Sequence, residues 1–374
     1  MQQLSKVAMD QWNISRELTS VDSDPDPISA DVKYLFDVII TCGLHTSLVV
    51  FGSVTNILNV IIFSRIGVMD SITISFVALS FTDFGVEFMN TAERVCMIFS
   101  LVLAADEREI NVDLDALAYT LTWYAKISYD MSVFITVFIA VQKCCCVALP
   151  FHFSDVFTPI KSIVINVTIV CGFLVYHLPV MANQDLRWRF DPRTNSSRLV
   201  MWVTKERSIL LSINDFGRNI YITASQVIVI ICLLILVIKL RKSSAFRRTV
   251  ASGDESTSKE ESSKVKFSTR DLNVIKSVTY VAALFVACTI PSVALAYCRQ
   301  FIPKFDFTGH ANLFLVVFRV RNTFIYLCCA VNIFIYYRFN TKFREETKIL
   351  FRPFLLRVRL RRDQKEAAKG DEGE

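Results

Sequence analysis

The chain has 374 residues, of which 53% are hydrophobic and 20% charged, with a formal net charge of +6. These totals fit a soluble domain, but the distribution does not, because the apolar residues fall into blocks of roughly 20 or more, enough to cross a hydrocarbon core. The mild positive charge lies mainly between the blocks, which is typical of membrane topology rather than of a nucleic-acid-binding surface. The sequence therefore predicts an integral membrane protein.

Seven apolar blocks alternate with polar segments, which predicts an all-α membrane protein built as a seven-transmembrane helix bundle. Residues 1–36 are polar and acidic and are predicted to form an N-terminal tail, while the bundle covers 37–337. Its helices are predicted at about 37–64, 71–99, 115–146, 160–182, 211–240, 271–298 and 310–337.

Three polar segments are predicted to lie outside the bundle. A long loop follows span four and begins at residue 183, and 241–270, rich in Ser, Thr, Lys and Glu, forms the third cytoplasmic loop. Residues 338–374 are predicted to form a short amphipathic helix eight and a basic tail, with Phe339 and Phe343 spaced to lie on the inner leaflet.

Basic residues follow spans five and seven, which predicts that these segments are cytoplasmic and that the N-terminus is extracellular. The loop at 183–218 also contains several arginines and is the exception to this pattern. Asn13 and Asn195 begin glycosylation sequons on the predicted outer side, so we expect a glycoprotein.

Spans two, three and seven contain charged residues, which are costly inside a membrane and usually indicate function. Lys126, Tyr129 and Asp130 have the i, i+3, i+4 spacing of one helix face. We expect this face to line a ligand cavity with residues of the other two spans; alternatively, the charges pair with one another and only hold the bundle together. The candidate ligand-binding residues are Glu87, Lys126, Tyr129, Asp130, Arg321, Asn322 and Tyr326.

Five short motifs occur in order along the chain. They are Gly52-x-x-x-Asn56, Leu79-x-x-x-Asp83, Pro150-Phe151, Phe285-x-x-Cys288-x-x-Pro291 and Asn332-x-x-x-Tyr336. Over residues 38–345 the chain thus resembles the rhodopsin-like G-protein-coupled receptors. Its sequence near the ends of spans three and seven is most similar to that of invertebrate peptide receptors, including nematode serpentine class W and FMRFamide-like receptors.

The resemblance implies a plasma-membrane receptor that transduces an extracellular ligand, expected to be a neuropeptide, to a heterotrimeric G protein. No enzymatic activity is expected. Span seven contains no Lys to hold retinal, and Ala125 stands where amine receptors have Asp. A chemosensory receptor for a small molecule remains an alternative, and a membrane channel or transporter is the rival from another class.

The resemblance also implies a buried polar pocket that holds either a sodium ion or a network of water molecules. Its residues are Asp83, Ser132, Asn332 and Asn56. No other cofactor or metal is expected.

A third set of residues is expected to serve activation and G-protein coupling: Lys143, Pro150, Phe151, Asp271, Phe285, Pro291 and Tyr336. Lys143 takes the place of the Arg in the family's Asp/Glu-Arg-Tyr motif. We expect it either to bridge to Asp271 in the inactive state or to be solvated. The usual outer disulfide is not expected, because the 183–218 loop contains no Cys.

Overall fold

The computed structural model describes residues 26–67, 70–105, 111–148, 153, 155–191, 195–251, 269–305 and 309–353. In this part of the chain, seven helices are long and apolar enough to span a membrane, which confirms the predicted all-α, multi-pass architecture. We number them in chain order: α1 Ala30–Ile66, α2 Ser71–Ala105, α3 Leu114–Ala148, α4 Pro159–Ala182, α5 Arg207–Ala251, α6 Thr269–Phe301 and α7 Ala311–Phe339.

Helices α2, α3 and α4 each begin where a side chain accepts hydrogen bonds from their first amides. Oδ1 of Asp70 accepts from the backbone N–H of Thr73 at 2.8 Å, and Oδ1 of Asp113 accepts from that of Ala116 at 3.0 Å. Thr158 caps α4 in the same way. Such caps satisfy amides that have no partner within the helix, so the sequence itself fixes where α2, α3 and α4 begin.

The helices form a closed ring around α3. α1 packs against α2 and α7, whereas α3 packs against α2, α4, α5 and α6. The outer surface is apolar, as Ile160 (74% exposed) and Val175 (68% exposed) show on α4, while Asn56 and Asp83 are buried. A soluble bundle has the opposite arrangement, so this surface suits contact with lipid.

Helix α1 begins inside the predicted N-terminal tail. Its first turns, Ala30–Phe36, are α-helical, and a π-helical stretch, Asp37–His45, follows. Ser29 caps the helix, and Asp26 accepts a hydrogen bond from the backbone N–H of Asn312 at 2.7 Å. The predicted boundary at residue 36 was therefore too late, because a cap and a contact with α7 order the preceding turn.

The segment predicted as a loop after span four contains an antiparallel hairpin, β1 Gln184–Asp191 and β2 Ser196–Val203. Asn195 occupies its turn with φ 47° and is exposed, as a glycan acceptor must be. The hairpin is joined to the start of α3 through the backbone of Leu199, which bonds to Asn111 at 2.7 Å and to Asp113 at 2.9 Å. We call this side of the bundle the hairpin end.

The opposite end differs from the prediction at two places. α5 continues to Ala251, inside the segment predicted as the third cytoplasmic loop. Residues 341–353 are helical, but Phe343 is completely buried, with its ring centroid 4.9 Å from that of Phe63 and 5.7 Å from that of Tyr336. The expectation that Phe343 faces the membrane was wrong, because an aromatic cluster under the bundle takes its side chain.

Candidate functional site

A cavity of about 590 Å³ opens between the helices at the hairpin end. It lies between α3, α5, α6 and α7, with Val86 and Asn90 of α2 on one side. Its volume is typical of sites for small ligands, and its wall mixes aromatic side chains with a few charged ones. It is therefore the candidate binding site.

Most of the predicted ligand-binding residues line this cavity, but two do not. The lining residues from the prediction are Lys126, Tyr129, Arg321, Asn322 and Tyr326. Glu87 and Asp130 are completely buried and absent from the wall. The prediction that these two residues contact a ligand is wrong, because each of them packs against another helix.

Asp130 is the centre of an ion-pair network between α3, α4 and α5. Its carboxylate accepts hydrogen bonds from Nε of Arg218 at 3.0 and 3.1 Å, and Nη2 of Arg218 lies at 2.9 Å. The hydroxyl of Tyr221 donates to it at 2.6 Å, and Nε2 of His177 lies at 3.1 Å. With four close donors, the carboxylate has no free face for a ligand.

The network continues to the cavity wall through Asn214. The ammonium group of Lys126 can only donate, so the Asn214 oxygen faces it, at 3.4 Å, and the Asn214 amide nitrogen faces Nδ1 of His177, at 3.2 Å. Nδ1 therefore accepts, which leaves Nε2–H to donate to Asp130. Lys126 also forms an ion pair with Asp215 at 2.9 Å.

Sequence reasoning missed the α5 side of this network. Asn214, Asp215 and Arg218 were assigned to the boundary between the loop and span five, although they lie in one helix that begins at Arg207. Their polar i, i+1, i+4 spacing next to an apolar run is the signal that could have identified them as intramembrane residues. His177 is buried and hydrogen-bonded on both nitrogens.

A second set of polar residues lies deeper in the bundle, around Asp83. Oγ of Ser132 donates to Asp83 at 2.5 Å, and Nδ2 of Asn332 donates to it at 2.9 Å. Asn56 bonds to the backbone oxygen of Cys329 at 3.0 Å and so connects α1 to α7. The structure thus brings the predicted polar-pocket residues into one region.

A void of about 10 Å³ adjoins Asp83, Ser132 and Asn332. Oδ1 of Asn332 is buried with no hydrogen-bond partner in the described structure. Three nearby oxygen-bearing side chains fit a sodium ion, and the void also suits a single water molecule. Both expectations for this pocket therefore agree with its donor set.

Glu87 lies one helical turn from Asp83 and faces α1. Both of its carboxyl oxygens are buried without a hydrogen-bond partner in the described structure. A Cβ added at Gly52 would lie 2.7 Å from Cγ and Cδ of Glu87, so this glycine makes room for the side chain. Glu87 is therefore a packing neighbour of α1 rather than part of the cavity wall.

The residues expected to serve activation lie in several environments. Phe285 adjoins the void, Pro291 lies inside α6, and Lys143 and Tyr336 are buried. Pro150, Phe151 and Asn13 lie outside the described residues, as does the side chain of Asp271. The alternative that Lys143 is solvated is wrong, because this residue is buried, and the Lys143–Asp271 bridge stays a prediction.

Comparison of the sequence with models of known protein families, and with characterised proteins, gives no match.

Proposed function

We propose that the chain is a rhodopsin-like G-protein-coupled receptor of the plasma membrane, with its N-terminus and the hairpin end outside the cell. The observation that best supports the proposal is the position of Tyr129, which lines both the large cavity and the void beside Asp83. A ligand that displaces Tyr129 would therefore change the packing around Asp83 without contacting Asp83 itself. One side chain connects an outer cavity to the polar interior.

Signalling requires that the ligand bind one arrangement of the helices better than another. Phe285 of α6 and Asn332 of α7 border the same void as Tyr129, so a shift of this ring would alter the contacts of both helices with α3. We propose that α6 then moves at the opposite end, where a heterotrimeric G protein binds. The site contributes binding and conformational change, and no chemical step is proposed.

The proposed ligand is a neuropeptide whose terminal residues enter the cavity. A small chemosensory molecule is the second candidate, and it is supported by the cavity volume of about 590 Å³, which lies within the range of small-molecule sites. Both candidates use the same wall and the same Tyr129 contact. They differ in how much of the ligand extends toward the hairpin.

The test is a screen of peptides and small molecules on cells that express the full chain, read by activation of each G-protein class. We expect at least one response, and we expect Asp83→Asn to weaken it while surface expression persists. Ion current or solute flux without G-protein activation would favour the channel or transporter class and contradict the proposal.

The proposed orientation has a separate test on intact cells. An N-terminal tag should be accessible to antibody without permeabilisation, and a C-terminal tag should not. Removal of Asn13 and Asn195 should abolish sensitivity to an N-glycosidase. A C-terminal tag stained on intact cells would contradict the orientation.

A further inference from the structure

The charges on the cavity wall do not balance. Its described lining contains four cationic side chains and one anionic side chain. The cations are Lys126, Arg218, Arg299 and Arg321, and the anion is Asp215. An excess of cations in a partly enclosed, largely apolar space attracts an anion.

Two of the four cations are already neutralised by neighbouring carboxylates. Lys126 pairs with Asp215 at 2.9 Å, and Arg218 pairs with Asp130 at 2.9 Å. No carboxylate of the described residues lies within ion-pair distance of Arg321. The two cations without a carboxylate partner among the described residues are therefore Arg299 of α6, which is exposed, and the less exposed Arg321 of α7.

All contacts of the Arg321 guanidinium group are neutral. Nε donates to Oγ of Ser292 at 3.1 Å, Nη1 donates to Oδ1 of Asn322 at 2.8 Å, and the group lies 5.6 Å from the ring centroid of Phe318. These bonds fix the orientation of the group, and Nη2 has no hydrogen-bond partner among the described residues. A guanidinium group prefers a planar, two-oxygen partner such as a carboxylate.

Tyr129 carries a second hydrogen-bond donor, which has no partner in the described structure. The side chain of Tyr129 is 5% exposed, and its hydroxyl makes no hydrogen bond in the described structure. A buried hydroxyl is costly without a partner, but this oxygen is shielded from solvent, so a ligand oxygen can accept from it only when the ring of Tyr129 moves. Trp123, Phe314 and Phe318 supply apolar wall beside these donors.

We infer that the cavity recognises its ligand through a carboxylate group, which is bound by Arg321 and, once the ring of Tyr129 moves, by its hydroxyl, with an apolar body against the aromatic wall. The inference rests on the proposed receptor function. Asp130 takes no part in this recognition, because Arg218 already occupies that carboxylate. The carboxylate belongs either to a small organic acid or to the free C-terminus of a peptide.

The experiment measures the binding of matched probe pairs to the purified full-length protein in lipid nanodiscs, by the shift of its melting temperature with probe concentration. The first pair is 3-phenylpropanoate and 3-phenylpropanamide. The second is a short peptide that ends in Phe with a free carboxylate and the same peptide with an amidated C-terminus. Binding is measured without a G protein, so its result does not depend on signalling.

We expect the acid of at least one pair to bind about 10- to 100-fold more tightly than its amide, as a charge-assisted contact provides. The pair that shows the preference identifies the source of the carboxylate. Arg321→Gln should remove the preference. The matched control is Arg319→Gln, which removes the same charge from α7 but outside the cavity, where Arg319 pairs with Asp37 at 3.3 Å.

Equal binding of acid and amide, no binding of any of the probes, or a preference that survives Arg321→Gln would overturn the inference. If Arg321→Gln does not fold, Arg321→Lys provides the test, because Lys keeps the charge but loses the planar fork and should reduce the preference. An unchanged preference in that variant would also overturn it. An intact preference combined with no G-protein response would contradict the receptor proposal alone.

Discussion

The guanidinium group of Arg218 contacts both carboxylate oxygens of Asp130, although the two residues belong to different helices. Asp130 is completely buried, and the side chain of Arg218 is 13% exposed. Removal of one partner from a buried ion pair leaves the other charge without compensation. The pair is therefore a structural connection between α3 and α5 and not a contact that a ligand can replace.

The first prediction concerns this pair. Asp130→Asn should destabilise the protein by about 3–5 kcal/mol, because Arg218, whose side chain is only 13% exposed, loses its carboxylate partner. The measurement is the apparent melting temperature of the protein in detergent, together with its surface expression.

The matched control for that prediction is Asp215→Asn, which breaks the more exposed pair with Lys126. Its expected cost is only about 0–1 kcal/mol. Equal losses of stability in the two variants would show that the Asp130–Arg218 pair stabilises the fold no more than the Lys126–Asp215 pair does.

The second prediction concerns the close approach of α1 and α2. Gly52→Ala should cost about 1–3 kcal/mol, because the new methyl group would lie 2.7 Å from Glu87. Glu87→Ala should restore stability in the double variant, since it removes the atoms that clash.

Gly172→Ala is the control for that substitution, because nothing lies within 4 Å of the added carbon. It should leave the melting temperature unchanged or raise it slightly, as Ala favours a helix more than Gly does. If Glu87→Ala does not rescue Gly52→Ala, the space is set by some other neighbour.

The spans could be predicted from the sequence because a membrane-crossing helix is a local property of about 20 apolar residues. The polar pocket could be predicted because the resemblance places Asp83, Ser132 and Asn332 at defined depths in the membrane. The hairpin was not recognised, although Leu186, Trp188 and Phe190 alternate with polar residues in the period of a strand.

The direction of each side chain was harder to predict from the sequence. Tyr129 and Asp130 are neighbours on α3, and adjacent helical residues point about 100° apart, so Tyr129 reaches the cavity while Asp130 faces α4 and α5. The i, i+3, i+4 spacing of Lys126, Tyr129 and Asp130 predicted one face toward the cavity, but only Lys126 and Tyr129 line it. Arg218 and His177 come from distant segments, and no local pattern pairs them with Asp130.

The third prediction concerns the polar interior. Asp83→Asn should reduce the ligand response or its dependence on sodium concentration, because an amide nitrogen would replace an oxygen that accepts from Ser132 or Asn332. The measurement is a concentration–response curve at several sodium concentrations, with surface expression as the reference. Identical curves for both proteins would exclude a coupling role for Asp83.

The last prediction separates stability from ligand response at two tyrosines of the cavity wall, Tyr129 and Tyr326. The buried hydroxyl of Tyr129 makes no hydrogen bond in the described structure, so Tyr129→Phe should leave the melting temperature unchanged or raise it. It should nevertheless weaken the response to a carboxylate ligand by about tenfold, because one donor is lost. Tyr326→Phe is the control, since its hydroxyl donates to Asn90 at 3.0 Å and its loss should lower the melting temperature. A Tyr129→Phe protein that is less stable but responds normally would show that this hydroxyl supports the fold instead of the ligand.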